Sequence, residues 1–365
     1  MKGSIVTVSA AIIFLFQAAP QLSAQGSRTR TERGHEFVVF QEGSEDKSTT
    51  PADIAELRRA AQQGDPSAEN DLGYAYAFGT GITADKEEAV LWVGRAAAAG
   101  FVPAQFNLGV FYENGFGVPQ DYARALGYFR SAAEHGFAAA EEKLGLFFEK
   151  GWAVPADPHQ AMTWYRAAAE HGDAEAQCQL GNGYHQGRGG LPHDDSEGAK
   201  WYRMSAEQGY APAENNLGSL YHHGLGVTQD FSQALTWYRR AIANGLAEAE
   251  NNLGVMYEDG SGVEKDYGQA AAWYQAAARH GAPRGEYNLA TLYYIGRGVP
   301  LDYVSAYVWY SRAASTGDSL AARRMKEVAG VMTARQKEMA QSLVDQQNAS
   351  VSQSTHSLFE NAIRK

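Results

Sequence analysis

Apolar residues recur along this chain at helical spacing, and the helical stripes themselves recur. Ala249, Leu253, Met256 and Tyr257 stand at i, i+4, i+7 and i+8, which is one face of a helix. The same register gives Ala68, Leu72 and Tyr76; Ala104, Leu108, Phe111 and Tyr112; and Ala213, Leu217, Leu220 and Tyr221. Within each stripe lies a Leu-Gly pair: Leu72-Gly73, Leu108-Gly109, Leu144-Gly145, Leu180-Gly181, Leu217-Gly218 and Leu253-Gly254, followed by Leu289-Ala290. Six intervals separate these pairs, five of 36 residues and one of 37. A strict period of that length predicts stacked supersecondary units rather than one globular core.

A Gly-x-Gly turn follows each stripe, as in Gly79/Gly81, Gly115/Gly117, Gly224/Gly226, Gly260/Gly262 and Gly296/Gly298. Four residues later an Asp is placed to cap a second helix: Asp85, Asp121, Asp157, Asp230, Asp266 and Asp302. That helix carries an aromatic eight residues before a terminal Gly, namely Trp92, Trp164, Trp201, Trp237, Trp273 and Trp309, with Tyr128 once. A small residue three before the aromatic lets helices approach closely. Aromatics at this spacing predict buried packing, so Trp164, Trp201, Trp237, Trp273 and Trp309 are read as structural.

Leu253 to Gly281 reads LGVMYEDGSGVEKDYGQAAAWYQAAARHG, and this pattern resembles the Sel1-like repeat, a relative of the tetratricopeptide repeat. The resemblance implies an all-α, right-handed α-solenoid of about seven helix-turn-helix repeats. Their expected bounds are 66–101, 102–137, 138–173, 174–210, 211–246, 247–282 and 283–318. Two units depart from the pattern: Gly151-Trp152-Ala153 lacks the second loop glycine, and Gly187 to Asp195 carries one extra residue. Both are expected to distort the turn locally without breaking the stack.

Solenoid ends need caps. A lone helix within 51–65 is expected at one end. At the other, helices within 319–349 are expected, with Thr333 and Gln336 forming a capping box. Before the repeats, Met1 to Ala24 reads as a signal peptide: Lys2 is its only charge, and Ile5 to Phe16 is apolar but too short to span a membrane. Residues 25–50 are polar apart from Phe37-Val38-Val39-Phe40 and are expected to be disordered. That apolar island is suited to adding as a strand to a partner or tucking against the first repeat. Residues 350–365 read as a flexible tail.

The formal net charge of −11 becomes −12 once Lys2 is removed, which disfavours nucleic acid. No integral membrane segment is expected after signal removal. Cys178 is the only cysteine, so packing must hold the fold, and a small, partly buried filler is its expected role.

In the resembling tetratricopeptide family, the first helices line a concave peptide-binding groove. Counting from each Leu, positions −5, −2, −1 and +2 fall on the face opposite the Leu stripe. There lie Asn107, Lys143, Gln179, Asn215, Asn216, Asn251, Asn252 and Asn288, as candidate partner-binding residues. Asn offers a donor and an acceptor, so a ladder of it can clamp an extended backbone. The same residues can equally serve hydrogen bonds between repeats, because Asn inside a helix is unfavourable and requires some explanation.

No cofactor or metal is expected. His185, His193, His222 and His223, with Asp194 and Asp195, read as solvated loop residues, since their spacing is not a ligand pattern. His135, His171 and His280 precede terminal glycines, where a cation suits a helix C-terminus. Ser44 to Lys47 fits S-x-x-K, yet no K-T-G or S-D-N follows. The expectation is therefore an exported, monomeric, non-catalytic scaffold for protein or peptide partners, periplasmic or, second, secreted. The alternative is a periplasmic enzyme or binder acting on β-lactam or peptidoglycan substrates.

Overall fold

A computed structural model describes residues 28–29, 38–39 and 51–346. The expected signal peptide, the rest of the 25–50 segment and the 350–365 tail lie outside the described residues. Seventeen helices occur among them, in the order α1 Pro51–Gln62, α2 Pro66–Phe78, α3 Lys86–Ala98, α4 Val102–Asn114, α5 Tyr122–Ala133, α6 Ala138–Lys150, α7 Pro158–Glu170, α8 Ala174–Gln186 and α9 Asp195–Glu207. They continue with α10 Ala211–His223, α11 Phe231–Ala243, α12 Ala247–Asp259, α13 Tyr267–Arg279, α14 Pro283–Ile295, α15 Tyr303–Ser315, α16 Ser319–Val331 and α17 at 334–346. The protein is an all-α solenoid of helical hairpins. None of the helices is long and apolar enough to cross a membrane, among the described residues.

The chain forms two compact units, Met1–Asn216 and Leu217–Lys365. In the first, α1 packs on α2, and α2/α3, α4/α5, α6/α7 and α8/α9 pair as hairpins. In the second, α12/α13 and α14/α15 do the same, with α16 packed on α15. At α17 the capping box forms: the Thr333 N–H donates to Gln336 Oε1 at 2.9 Å, and the Gln336 N–H to Thr333 Oγ1 at 3.3 Å.

The hairpin α12/α13 shows how a repeat closes. Gly260 ends α12 in the left-handed region, φ 77°, and its N–H donates to the Met256 carbonyl. The Asp266 N–H then donates back to the Tyr257 carbonyl at 2.9 Å. Its carboxylate accepts from the N–H groups of Gly268 and Gln269, at 2.7 and 3.0 Å, and so caps α13. Asp85, Asp157, Asp230 and Asp302 cap their helices in the same way, and Asp121 caps α5 by accepting from the Arg124 N–H. In the 37-residue repeat the extra residue is absorbed by the loop, and Asp194 takes the cap. The second loop glycine meets a different need, close approach between repeats. A Cβ on Gly262 would stand 2.4 Å from that of Phe231, at the start of α11 in the preceding repeat.

Residue 153 departs from expectation. The turn is not distorted there, because Ala153 itself adopts φ 58°, and among the described residues it is the one non-glycine with positive φ. The deviation is stored as backbone strain instead.

The Trp read as structural do pack on the core, but they are not its most deeply buried rings. Trp92 and Trp237 are 8% exposed, whereas Trp164, Trp201, Trp273 and Trp309 are only half-buried. The fully buried ring belongs to the next residue: Tyr165, Tyr202, Tyr238, Tyr274 and Tyr310, with Phe129 in the second repeat. Its socket is the glycine of Leu-Gly. A Cβ built on Gly109, Gly145, Gly181, Gly218 or Gly254 would lie 2.6 to 2.9 Å from the facing ring. Arg95, Arg240 and Arg312 sit over the Trp92, Trp237 and Trp309 rings at 4.6 to 4.9 Å.

Arg28–Thr29 (β1) and Val38–Val39 (β2) form a two-stranded antiparallel ribbon, with Arg28 opposite Val39 and Thr29 opposite Val38. β2 lies against α4. Val38–Val39, the described part of the apolar island, therefore lie against the second repeat, not the first.

Candidate partner-binding face

Three residues before each repeat Leu runs a column of Glu and Gln. Glu69, Glu141, Gln177, Glu214, Glu250 and Glu286 are all buried. Burying a carboxylate is costly unless it is paired, and for Glu141, Gln177, Glu250 and Glu286 a partner comes from the end of the same repeat's second helix. His171 Nδ1 lies 2.7 Å from Glu141, His280 Nδ1 2.8 Å from Glu250, and Arg312 2.8 Å from Glu286. Burial pushes the Glu286 carboxyl up, against the pull of Arg312. Gln208 donates to Gln177 at 2.8 Å. His171 and His280 thus serve the buried carboxylates as well as a helix end, while His135 Nδ1 lies 2.9 Å from the Ser131 carbonyl. The glutamate column was visible in the sequence at a fixed offset from Leu, but charge alone did not mark it as interior.

The candidate asparagines sit at positions −2 and −1, and several bridge repeats. Asn107 is completely buried and donates to Asn70 Oδ1 at 3.0 Å. Asn288 donates to Asn251 Oδ1 at 2.8 Å, and Asn251 donates in turn to Asn252 at 3.3 Å. Asn216, 7% exposed, donates to Asn182 at 3.2 Å and approaches the Cys178 sulfur at 3.9 Å. Where the third repeat has Lys143 instead, the ammonium lies 3.8 Å from Glu113 of the second. Gln179 accepts from Asn182 at 3.1 Å. Asn107, Asn216 and Asn251 are thus interior. Lys143, Gln179, Asn215, Asn252 and Asn288 are half-buried and line the surface.

Beside this row emerge the hydroxyls of the buried tyrosines. Tyr165 donates to Glu149 at 2.8 Å, Tyr274 to Glu258 at 2.6 Å, and Tyr202 to Asn182 at 2.7 Å. Tyr310 pairs with Thr291 at 2.8 Å, and burial raises its phenol to about 12. These hydroxyls are held as neutral donors. Sequence reasoning overlooked them, because it assigned the interior to Trp.

His185, His193, His222 and His223 form two pairs, one in each compact unit. His185 Nδ1 lies 2.5 Å from Asp195, and His193 3.9 Å from the same carboxylate. His185 is therefore half-buried rather than solvated. His222 is buried and stacks on His223 with ring centroids 4.5 Å apart. Burial, and then the neighbouring His223, lowers it to about 4. No three His, Cys, Asp or Glu side chains are grouped to hold a metal among the described residues. Burial pushes the Cys178 thiol strongly up.

Seven segments match the Sel1 repeat: 66–101, 102–137, 138–173, 174–210, 211–246, 247–281 and 283–318. This chain belongs to the Sel1 repeat family. A Sel1 repeat protein from Oxalobacter formigenes shares 35% identity over 79% of this chain and 83% of that one, with a TM-score of 0.58. A protective antigen present in uropathogenic Escherichia coli strains, displaying an SLR fold, shares 30% identity over 79% of this chain and 69% of its own, with a TM-score of 0.46. No curated protein matches at a significant level. In this Sel1 protein, Lys143, Gln179, Asn215, Asn252 and Asn288 are polar side chains that line the surface of first helices, whereas Asn107, Asn216 and Asn251 are interior.

Proposed function

We propose that this Sel1 repeat protein is an exported, non-catalytic scaffold that takes protein or peptide partners on the first-helix face of its repeats. The supporting observation is the row around Asn252 and Asn288. Both are half-buried, and the hydrogen bonds through Asn251 hold their amides in place between two adjacent repeats. An amide fixed in this way has little side-chain entropy left to lose when it meets a peptide backbone. Repeat arrays generally use such extended surfaces for binding. The Met1 to Ala24 pattern supports export to a bacterial periplasm, with secretion as the second placement and a role in envelope regulation or host contact.

The test is cross-linking in the native envelope, with the linked residues mapped by mass spectrometry. Cross-links should concentrate on the first helices, and Asn252→Ala should reduce their yield while leaving Tm unchanged. Equal loss of yield and Tm would overturn the reading. So would turnover of a chromogenic β-lactam or of peptidoglycan that a single substitution abolishes.

A further inference from the structure

Asp71 holds position −1 of the first repeat, the place taken by Asn107, Lys143 and Gln179 in the next three repeats of the same unit. Like Lys143 and Gln179 it is half-buried. A relay of amides ends on it: Asn107 donates to Asn70 Oδ1 at 3.0 Å, and Asn70 Nδ2 donates to Asp71 Oδ1 at 3.4 Å. Asn107 and Asn70 are interior, so the carboxylate stands at the outer end of a hydrogen-bonded chain that begins in the second repeat.

The other charge in this row is matched, since Lys143 has Glu113 at 3.8 Å. Asp71 makes no ion pair among the described residues, and Asp65 acts on it as a like charge. Asp65 is itself engaged, accepting from the N–H groups of Ser67 and Ala68 to cap α2. Burial raises the Asp71 carboxyl to about 6; the Asn70 hydrogen bond opposes that rise and Asp65 adds to it. A partly desolvated carboxylate without a cation lowers stability. The bond from Asn70 does not require an acid, because an asparagine at this position would accept it without carrying charge. Packing thus leaves the acid unexplained, whereas a ligand that supplies a cation explains it.

We propose that Asp71 is the residue of the first-helix face that receives a Lys or Arg side chain of a bound peptide. This rests on the scaffold reading and gives its ligand a chemistry, a peptide segment with a cation at one fixed place. The incoming cation takes the place of water beside the carboxylate. In so sheltered a position a charge-assisted hydrogen bond is stronger than on an open surface. Matched by Glu113, Lys143 does not repel it.

The test offers N-acetylated random heptapeptides on beads to the full processed chain in about 0.15 M salt, which screens open surface charges. The beads that capture it are sequenced. Captured peptides should share a Lys or Arg at a fixed place. Asp71→Asn should bind the strongest of them at least about tenfold more weakly, a difference of about 1.4 kcal/mol. Asp345→Asn removes the same charge from an exposed site in the other unit and should bind it as the parent does. Asp71→Asn should also raise Tm at pH 7, because an ionised carboxylate leaves a partly buried place. Captured peptides with no shared cation, or a cation requirement that persists in Asp71→Asn, would overturn the proposal and leave the scaffold reading in place. A fall in Tm alongside the loss of binding would overturn it too, since the carboxylate would then be holding the stack. No capture at all would overturn both.

Discussion

At the residue scale, the two adjacent aromatics of each second helix show what a repeat requires. Trp and Tyr are 100° apart around the helix, so only one of them can point at the first helix. The larger ring is the natural expectation, yet the Leu-Gly glycine provides a ring-sized socket for Tyr. A glycine inside a helix costs about 1 kcal/mol relative to alanine, and that cost was the sequence signal for the socket. Tyr274→Ala should therefore cost about 3–5 kcal/mol in urea denaturation, as large core truncations do, and more than Trp273→Ala. An equal loss would return the core to Trp. Ala153→Gly should stabilise the protein by about 1 kcal/mol, because it relieves a left-handed alanine. His222 adds a pH dependence. Its folded value of about 4 lies below the ordinary 6.5, so the unfolded chain binds the extra proton between these values. Its contribution is constant above about pH 6.5 and is lost as pH falls toward 4. His222→Gln should flatten that part of the stability profile, measured from pH 7 to 4; an unchanged slope would show that His222 does not carry it.

At the element scale, the helices and their caps were legible because each rests on local chemistry. A left-handed glycine, an aspartate that accepts first-turn N–H groups and a fixed loop length are all written within about a dozen residues, and the structure reproduces them at Asp85, Asp121, Asp157, Asp230, Asp266 and Asp302. Asp266→Ala should cost about 1 kcal/mol, as N-cap truncations do, with a loss of helical signal small enough to concern one end of α13. What was not legible depends on the next repeat. Whether an Asn at position −1 faces solvent or its neighbour is decided by contacts some 37 residues away, as between Asn107 and Asn70 or Asn288 and Asn251. The interior glutamates are a similar case, since their His, Arg and Gln partners stand 26 to 31 residues on. Periodicity revealed that the repeats stack, but not which polar side chains the stacking would bury.

At the scale of the whole molecule, the consequence of repetition is that damage stays local. A repeat touches its neighbours in sequence, and stability is approximately a sum over repeats and the interfaces between adjacent ones. A single globular core distributes a packing defect over every element around it, whereas a stack confines it to one interface. Gly254→Ala is a defined way to make such a defect, because its Cβ would meet the Tyr274 ring at 2.6 Å and overpacking of that kind costs about 1–3 kcal/mol. Native-state hydrogen exchange should then show lost protection in α12, α13 and the adjoining α14, with α4 to α7 as protected as before. Loss of protection throughout the chain at the same rate would mean that the protein opens as one cooperative body, and its repeats would then have to be treated as a single core despite their period.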